Sequence, residues 1–162
     1  KGIVLDLRNN PGGLLDATVD VAGQFLEGGL AGYQVDRNGK KDSLTIRNRG
    51  DVNKLPLVVL ANRGSASGSE LLTGALQDRN RASLIGTRTF GKGSVNHLRD
   101  LSDGSALYVT IGRWLTPNGR QIEGQGLTPD YEVNLTEDDV KDRRDAQMDR
   151  ALEVLRSRVG GQ

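Results

Sequence analysis

The chain has 162 residues, with 22 basic and 21 acidic side chains and a net charge of +1, a size that supports one domain with its own core. Aromatic residues make up only 4%, and there is no basic stripe, so nucleic-acid binding has no support. The absence of cysteine excludes disulfides, thiolate metal sites and a cysteine nucleophile, and a single histidine, His97, excludes a multi-histidine metal site.

No apolar run approaches the ~20 residues of a membrane span. The chain begins at Lys1 directly inside the strand-like run GIVLDL. It therefore reads as a piece of a longer protein, with any targeting or membrane-associating segment outside it. Residues 2–7 read as a buried strand. Arg8-Asn9-Asn10-Pro11-Gly12-Gly13 is a turn by composition, with Pro fixing one φ and the glycines permitting φ > 0 or close backbone approach. Leu15, Val19, Ala22 and Leu26 recur at helical spacing, and Gly28-Gly29 stops that helix.

Residues 33–35 and 44–46 flank Asn38-Gly39, a hairpin signal. Residues 47–54 are polar loop. Residues 57–60 form a short apolar strand, followed by a Gly- and Ser-rich turn. From Ser67 to Gln77 the apolar residues Leu72, Ala75 and Leu76 suit one helix face. Residues 82–85 add another strand, which completes an α/β pattern.

Beyond Thr87 the character changes. Gly91-Lys92-Gly93 breaks the chain, residues 94–98 look extended, Asp103-Gly104 marks a turn, and residues 106–115 form a strand ending at Pro117-Asn118-Gly119. Residues 124–129 are loop. Thr136 with Glu137, Asp138 and Asp139 starts a helix. Its apolar stripe is Met148, Ala151, Leu152, Leu155 and Val159, and Gly160-Gly161 ends it.

The strand-to-helix turn around Ser67 is where a nucleophile would sit, although Ser67-x-x-Glu70 equally fits a capping box. A serine hydroxyl needs an adjacent base. The pattern G-x-S-x-G is absent, because Gly64-Ser65-Ala66-Ser67-Gly68 has alanine at its centre. Period-2 alternation puts Lys92, Ser94 and Asn96 on one strand face and His97 on the other. Lys92, between two glycines, is the better base: burial would lower a lysine from ~10.4 towards the ~7–8 useful for proton abstraction. The competing reading is a surface lysine in a glycine turn. Oxyanion donors could come from the Pro11-Gly12-Gly13 turn and from Gly68, if their two strands lie side by side and both turns reach the C-terminal sheet edge.

Four segments together resemble the carboxyl-terminal processing (tail-specific) proteases, Ser-Lys peptidases of family S41. They are GIVLDLRNNPGG at 2–13, NRGSASGSELLTGALQD at 62–78, IGTRTFGKGSV at 85–95 and LSDGSALYVTIGRWLTPNGRQIEGQGLTPD at 101–130. The resemblance implies Ser67 as nucleophile, Lys92 as general base, and the Gly12 and Gly68 amides as the oxyanion hole. It implies Asn96 where the family usually has a glutamine that orients the lysine, and Gly68 where alanine is commoner.

The implied fold is the ClpP/crotonase-like ββα superhelical α/β core. Residues 1–135 would form its C-terminal part and residues 136–162 a C-terminal helix, without the PDZ domain and the N-terminal part of the core. The implied function is an endopeptidase cleaving protein or peptide substrates near their C-termini through an acyl-enzyme. It would use no cofactor or metal, work outside the cytoplasm, and take its peptide as an added strand near Ser67. The oligomeric state, including a homo-oligomer, stays open. The alternatives are a non-catalytic ligand- or peptide-binding module of the same fold, which would have no reason to keep Ser67 with Lys92, and a fragment whose dyad is not assembled.

Overall fold

The computed structural model describes residues 1–47, 50 and 52–160. In chain order its elements are strand β1 (Ile3–Asp6), helix α1 (Leu15–Phe25), strands β2 (Gly29–Asp36) and β3 (Lys41–Ile46), a single 3-10 turn (Val52–Lys54), strand β4 (Leu57–Ala61) and helix α2 (Gly68–Asp78). Strands β5 (Ser83–Gly86), β6 (Ser94–Asp100), β7 (Ala106–Leu115) and β8 (Tyr131–Glu132) follow. Helices α3 (Glu137–Lys141) and α4 (Ala146–Gly160) complete the chain.

Two four-stranded sheets result, one of order β1-β4-β5-β8 with parallel pairs, the other of order β3-β2-β7-β6 with antiparallel pairs. The α/β reading holds. Strand β4 is covered along its whole length, as a central parallel strand between helical layers must be. Its alternate residues serve two cores. Leu57, Val59 and Ala61 pack with Ala22, Phe25, Leu72, Ala75 and Leu76 of α1 and α2, whereas Val58 and Leu60 pack with Ile85 and with Ala151, Val154 and Leu155 of α4.

The register Ile3↔Leu57 to Asp6↔Leu60 lays β1 beside β4. The turns that follow them therefore meet at one sheet edge. They are stitched by Ala66 N–H donating to Asn10 O (3.0 Å), Ser65 Oγ donating to Leu7 O (2.7 Å) and Asn9 N–H donating to Asn62 Oδ1 (2.9 Å). Ser65 is thus the serine that serves the turn.

Residues 136–160 are not one helix. Thr136 caps α3, whose Asp139 carboxylate accepts from Thr136 N–H and Oγ1 and from Arg144 Nε. Those bonds, the Thr136 backbone donor first among them, hold the Asp139 carboxyl down at about 2. Arg143 then takes φ 54 and breaks the helix. Asp145 restarts it, accepting from Met148 N–H (3.0 Å). Gly161, the second glycine of the expected stop, lies outside the described residues.

Arg8 anchors α4 to β1. Its guanidinium binds Asp145 with two 2.8 Å bonds, also reaches Asp6 (2.7 Å), and touches Gln147 Oε1 (3.2 Å). The Arg8 hydrogen bonds hold the Asp145 carboxyl below the usual carboxylate range. At Asp6, burial pushes upwards, but the Arg8 bonds outweigh it. A carboxyl depressed in the fold adds stability above its ordinary value near ~4 and loses it as pH falls through the depressed one. Asp145→Asn should thus cost about 1 kcal/mol at pH 7, modest because Asp145 is partly solvated. Thermal unfolding of both proteins from pH 7 down to about 2 checks this: the difference should shrink below pH ~4.

Candidate active site

Ser67 stands at the N-terminus of α2, with φ 54 and ψ −118. A non-glycine residue held there is strained, and such strain at a strand-to-helix turn is how a nucleophile elbow presents its hydroxyl. The turn forms the expected capping box, with the Ser67 side chain set against the Glu70 amide although no well-aligned hydrogen bond joins them. In its other half Ser67 N–H donates to Glu70 Oε2 (3.1 Å).

Gly12 has φ +93, and a Cβ on it would lie 2.6 Å from Gly68 N and 2.9 Å from Ser67 Cβ. No residue with a side chain fits. The two expected oxyanion donors are thereby brought against one another beside Ser67. The Gly68 amide is at the first position of α2, without an intrahelical acceptor. The Gly12 amide already donates to Asn10 Oδ1 (2.9 Å), an occupant the sequence reading did not foresee. Beside both glycines is a cavity of about 180 Å³ whose walls include Leu7, Leu14, Val21 and Leu72.

Gly68 is itself explained by α1. A Cβ there would meet Thr18 Oγ1 at 2.5 Å, and that hydroxyl is fixed by donating to Leu14 O (3.0 Å). Gly68→Ala should therefore cost about 1–3 kcal/mol through overpacking. Adding Thr18→Ala should restore most of it. A double-mutant cycle by thermal unfolding checks the coupling.

Lys92 lies in a loop pressed against residues 122–126, which approach its flanking glycines closely. Gly124 N–H donates to Gly91 O (2.9 Å), and Gly93 N–H to Glu123 Oε2 (2.7 Å). The Lys92 side chain, however, is exposed, not buried as a lysine base would need. Among the described residues no hydrogen bond joins its ammonium to Ser67 Oγ or to Asn96. Asn96 instead donates to Ser94 Oγ (3.1 Å) and accepts from Thr110 Oγ1 (2.7 Å). The expected lysine-orienting contact is not formed. His97 is exposed on β6 and stands apart from this constellation.

The residue missed by sequence reasoning is Glu70 as more than a cap. It is fully buried, and besides Ser67 N–H it accepts from Thr89 Oγ1 (2.5 Å), Gly91 N–H (2.7 Å) and Lys92 N–H (2.8 Å). One carboxylate thus ties the Ser67 turn to the Lys92 loop. Its signal was a glutamate embedded in the apolar, helical stretch Glu70-Leu71-Leu72.

Among the described residues, no cluster of histidine and carboxylates could hold a metal ion, and no helix is long and apolar enough to cross a membrane. The carboxyl-terminal-processing protease of Synechocystis is 43% identical over 157 residues, covering 95% of this chain and 36% of its own length. Carboxyl-terminal-processing peptidase 3 of the Arabidopsis thaliana chloroplast is 48% identical over 133 residues, 82% of this chain and 26% of that protein. The solved photosystem II D1 C-terminal processing protease superposes with a TM-score of 0.78 at 44% identity, over 82% of this chain and 34% of that one. The chain thus spans between about a quarter and a third of the length of these relatives. The family model for peptidase family S41 matches residues 1–133, and with that match over the two sheets and the Ser67 turn, the chain belongs to peptidase family S41.

Proposed function

We propose that this chain carries the catalytic residues of a serine endopeptidase that cleaves protein substrates near their C-termini. The observation that carries the proposal is the strained Ser67 turn, backed onto Gly12 and tied through Glu70 to the backbone of Lys92. Lys92 takes the Ser67 proton, and Oγ attacks the scissile carbonyl. The oxyanion is received by the amides of Gly68 and Gly12, the latter exchanging Asn10 Oδ1 for the substrate oxygen. Lys92 returns the proton to the departing amine, and water then hydrolyses the acyl-enzyme. The acyl-side residue enters the apolar cavity beside Gly12 and Gly68. No titratable group lines that cavity, so it favours an uncharged aliphatic side chain. The site of action is read as extracytoplasmic, as the family resemblance implies.

A second reading is supported by the exposed, unbonded Lys92 ammonium and the occupied Gly12 amide: the chain by itself is an unassembled catalytic unit. A fluorophosphonate probe separates the two. Labelling that is lost in Ser67→Ala and in Lys92→Ala supports the peptidase. No labelling of the unaltered chain supports the second reading, and labelling that survives Ser67→Ala overturns the assignment of the nucleophile.

A further inference from the structure

A second groove, of about 410 Å³, shares no residue with the cavity at Gly12 and is lined by Arg63, Arg88, Thr89, Phe90, Gly124 and Gln125. No acidic residue lines it. Arg63 makes no hydrogen bond or ion pair among the described residues, and Arg88 has only a 3.4 Å contact with Thr128 Oγ1. Phe90 is 67% exposed between them in this lining. Two exposed guanidiniums in one groove, neither with a carboxylate partner among the described residues, suit a planar anion, which arginine binds bidentately.

The groove's place in the chain says which part of a substrate would bring that anion. Arg63 precedes the Ser65–Ser67 turn, Phe90 precedes Lys92, and Phe90 N–H donates to Ser65 O (3.0 Å), so both halves of the groove border the dyad. The acyl half of a substrate is accounted for by the cavity at Gly12 and Gly68. Lys92, which hands its proton to the departing amine, marks the side on which the leaving segment departs. When the cut falls near a chain end, that segment is short and ends in a carboxylate.

We propose that Arg63 and Arg88 form a carboxylate-binding site for the leaving segment, with Phe90 packing beside its last side chains. This rests on the peptidase reading for which end of the substrate lies there. The chemistry recognised is a carboxylate, whether the chain terminus or an Asp or Glu side chain near it. Such a site would select for short tails within the protease core itself, by holding the departing end.

The test reads binding on the Ser67→Ala chain, so its outcome does not depend on turnover. A fluorescent heptapeptide ending in three apolar residues is titrated as free acid, as C-terminal amide, and as amide with aspartate at the penultimate position. The free acid should bind about tenfold tighter than the amide, and raising salt to about 0.5 M should erode the difference. The difference should disappear in the Arg63→Gln/Arg88→Gln variant. Recovery of affinity by the aspartate amide would assign the site to side-chain carboxylates, and its failure to recover would assign it to the chain terminus. Equal binding of acid and amide, or a difference that persists in the arginine variant, overturns the proposal. Should the double variant fail to fold, each single arginine variant and the salt titration of the Ser67→Ala chain decide the same question. Failure of probe labelling at Ser67 would instead count against the peptidase reading, and an arginine-dependent preference for the acid would survive it.

Discussion

Lys92→Arg is expected to lower kcat/KM for peptide hydrolysis about a thousandfold or more, the share a positioned general base contributes together with the nucleophile it activates. The substitution keeps length and positive charge but installs a group that stays protonated. It therefore separates proton abstraction from charge alone. Ser67→Ala should fall to the same floor, and the double variant should be no worse than either single, because base and nucleophile act as one unit. Kinetics on a peptide with an uncharged aliphatic residue at the cleaved position measure all three. Activity retained by Lys92→Arg would mean that Lys92 serves only as a charge near the site. The exposure of Lys92 makes this informative. A lysine works as a base only where water is excluded, and a peptide lying along the Ser67 turn would supply that cover.

The sequence carried the two strand–turn–helix units clearly, because β1 and β4 are apolar runs ended by turns rich in Gly, Pro and Ser, and α1 and α2 have helical periodicity. That these units lie side by side was inferable, since a parallel pair needs a crossover such as α1. What was not legible is what depends on long-range pairing. The join of β2 to β7 (Val35↔Arg113) and the Arg8–Asp145 anchor have no local signal. The run from Thr136 to Val159 read as one helix because its stripe and charges allow it, whereas Asp139 and Asp145 each organise a separate helix end. At the site, motif order placed Ser67, Gly12 and Gly68 together, and the packing of Gly12 onto Gly68 is the physical form of that order. The contact of Asn96 with Lys92 failed because Asn96 finds two nearer partners, Ser94 and Thr110. A hydroxyl across the strand is within reach of a short amide, and the lysine four residues back is not bonded to it.

Those differences share a cause. The pieces of the site that one backbone segment builds are in place: the strained Ser67, the first-turn amide of Gly68, the turn at Gly12. The pieces that need a side chain to cross open space are not, namely the Lys92 ammonium and the amide of Asn96. Backbone geometry is enforced by the buried core beneath it, whereas exposed side chains take a single position only when something covers them. On the proposed peptidase reading, substrate binding would supply that cover, and assembly of the dyad would fall on the same step as recognition.

Glu70→Gln is expected to lower both stability and catalysis strongly while leaving Ser67 and Lys92 untouched. The carboxylate is fully buried and accepts four hydrogen bonds. Glutamine has the same shape, but its NH₂ must face donors on one side. Either the Ser67 and Lys92 amides or the Gly91 amide and the Thr89 hydroxyl would then point at another donor. Leaving such buried groups unpaired costs about 3 kcal/mol or more. Because the lost bonds are those that set the Ser67 turn against the Lys92 backbone, kcat should fall by at least about a hundredfold at temperatures where the variant is folded, with KM little changed. Thr73→Val on the same helix is the matched control. Its buried hydroxyl has no hydrogen-bond partner among the described residues, so removing it should leave stability equal or slightly higher and kcat unchanged. Thermal unfolding beside steady-state kinetics reads both quantities. A Glu70→Gln protein that melts early yet turns over normally when folded would reduce Glu70 to a helix cap, and the bridge between nucleophile and lysine would have to be sought elsewhere.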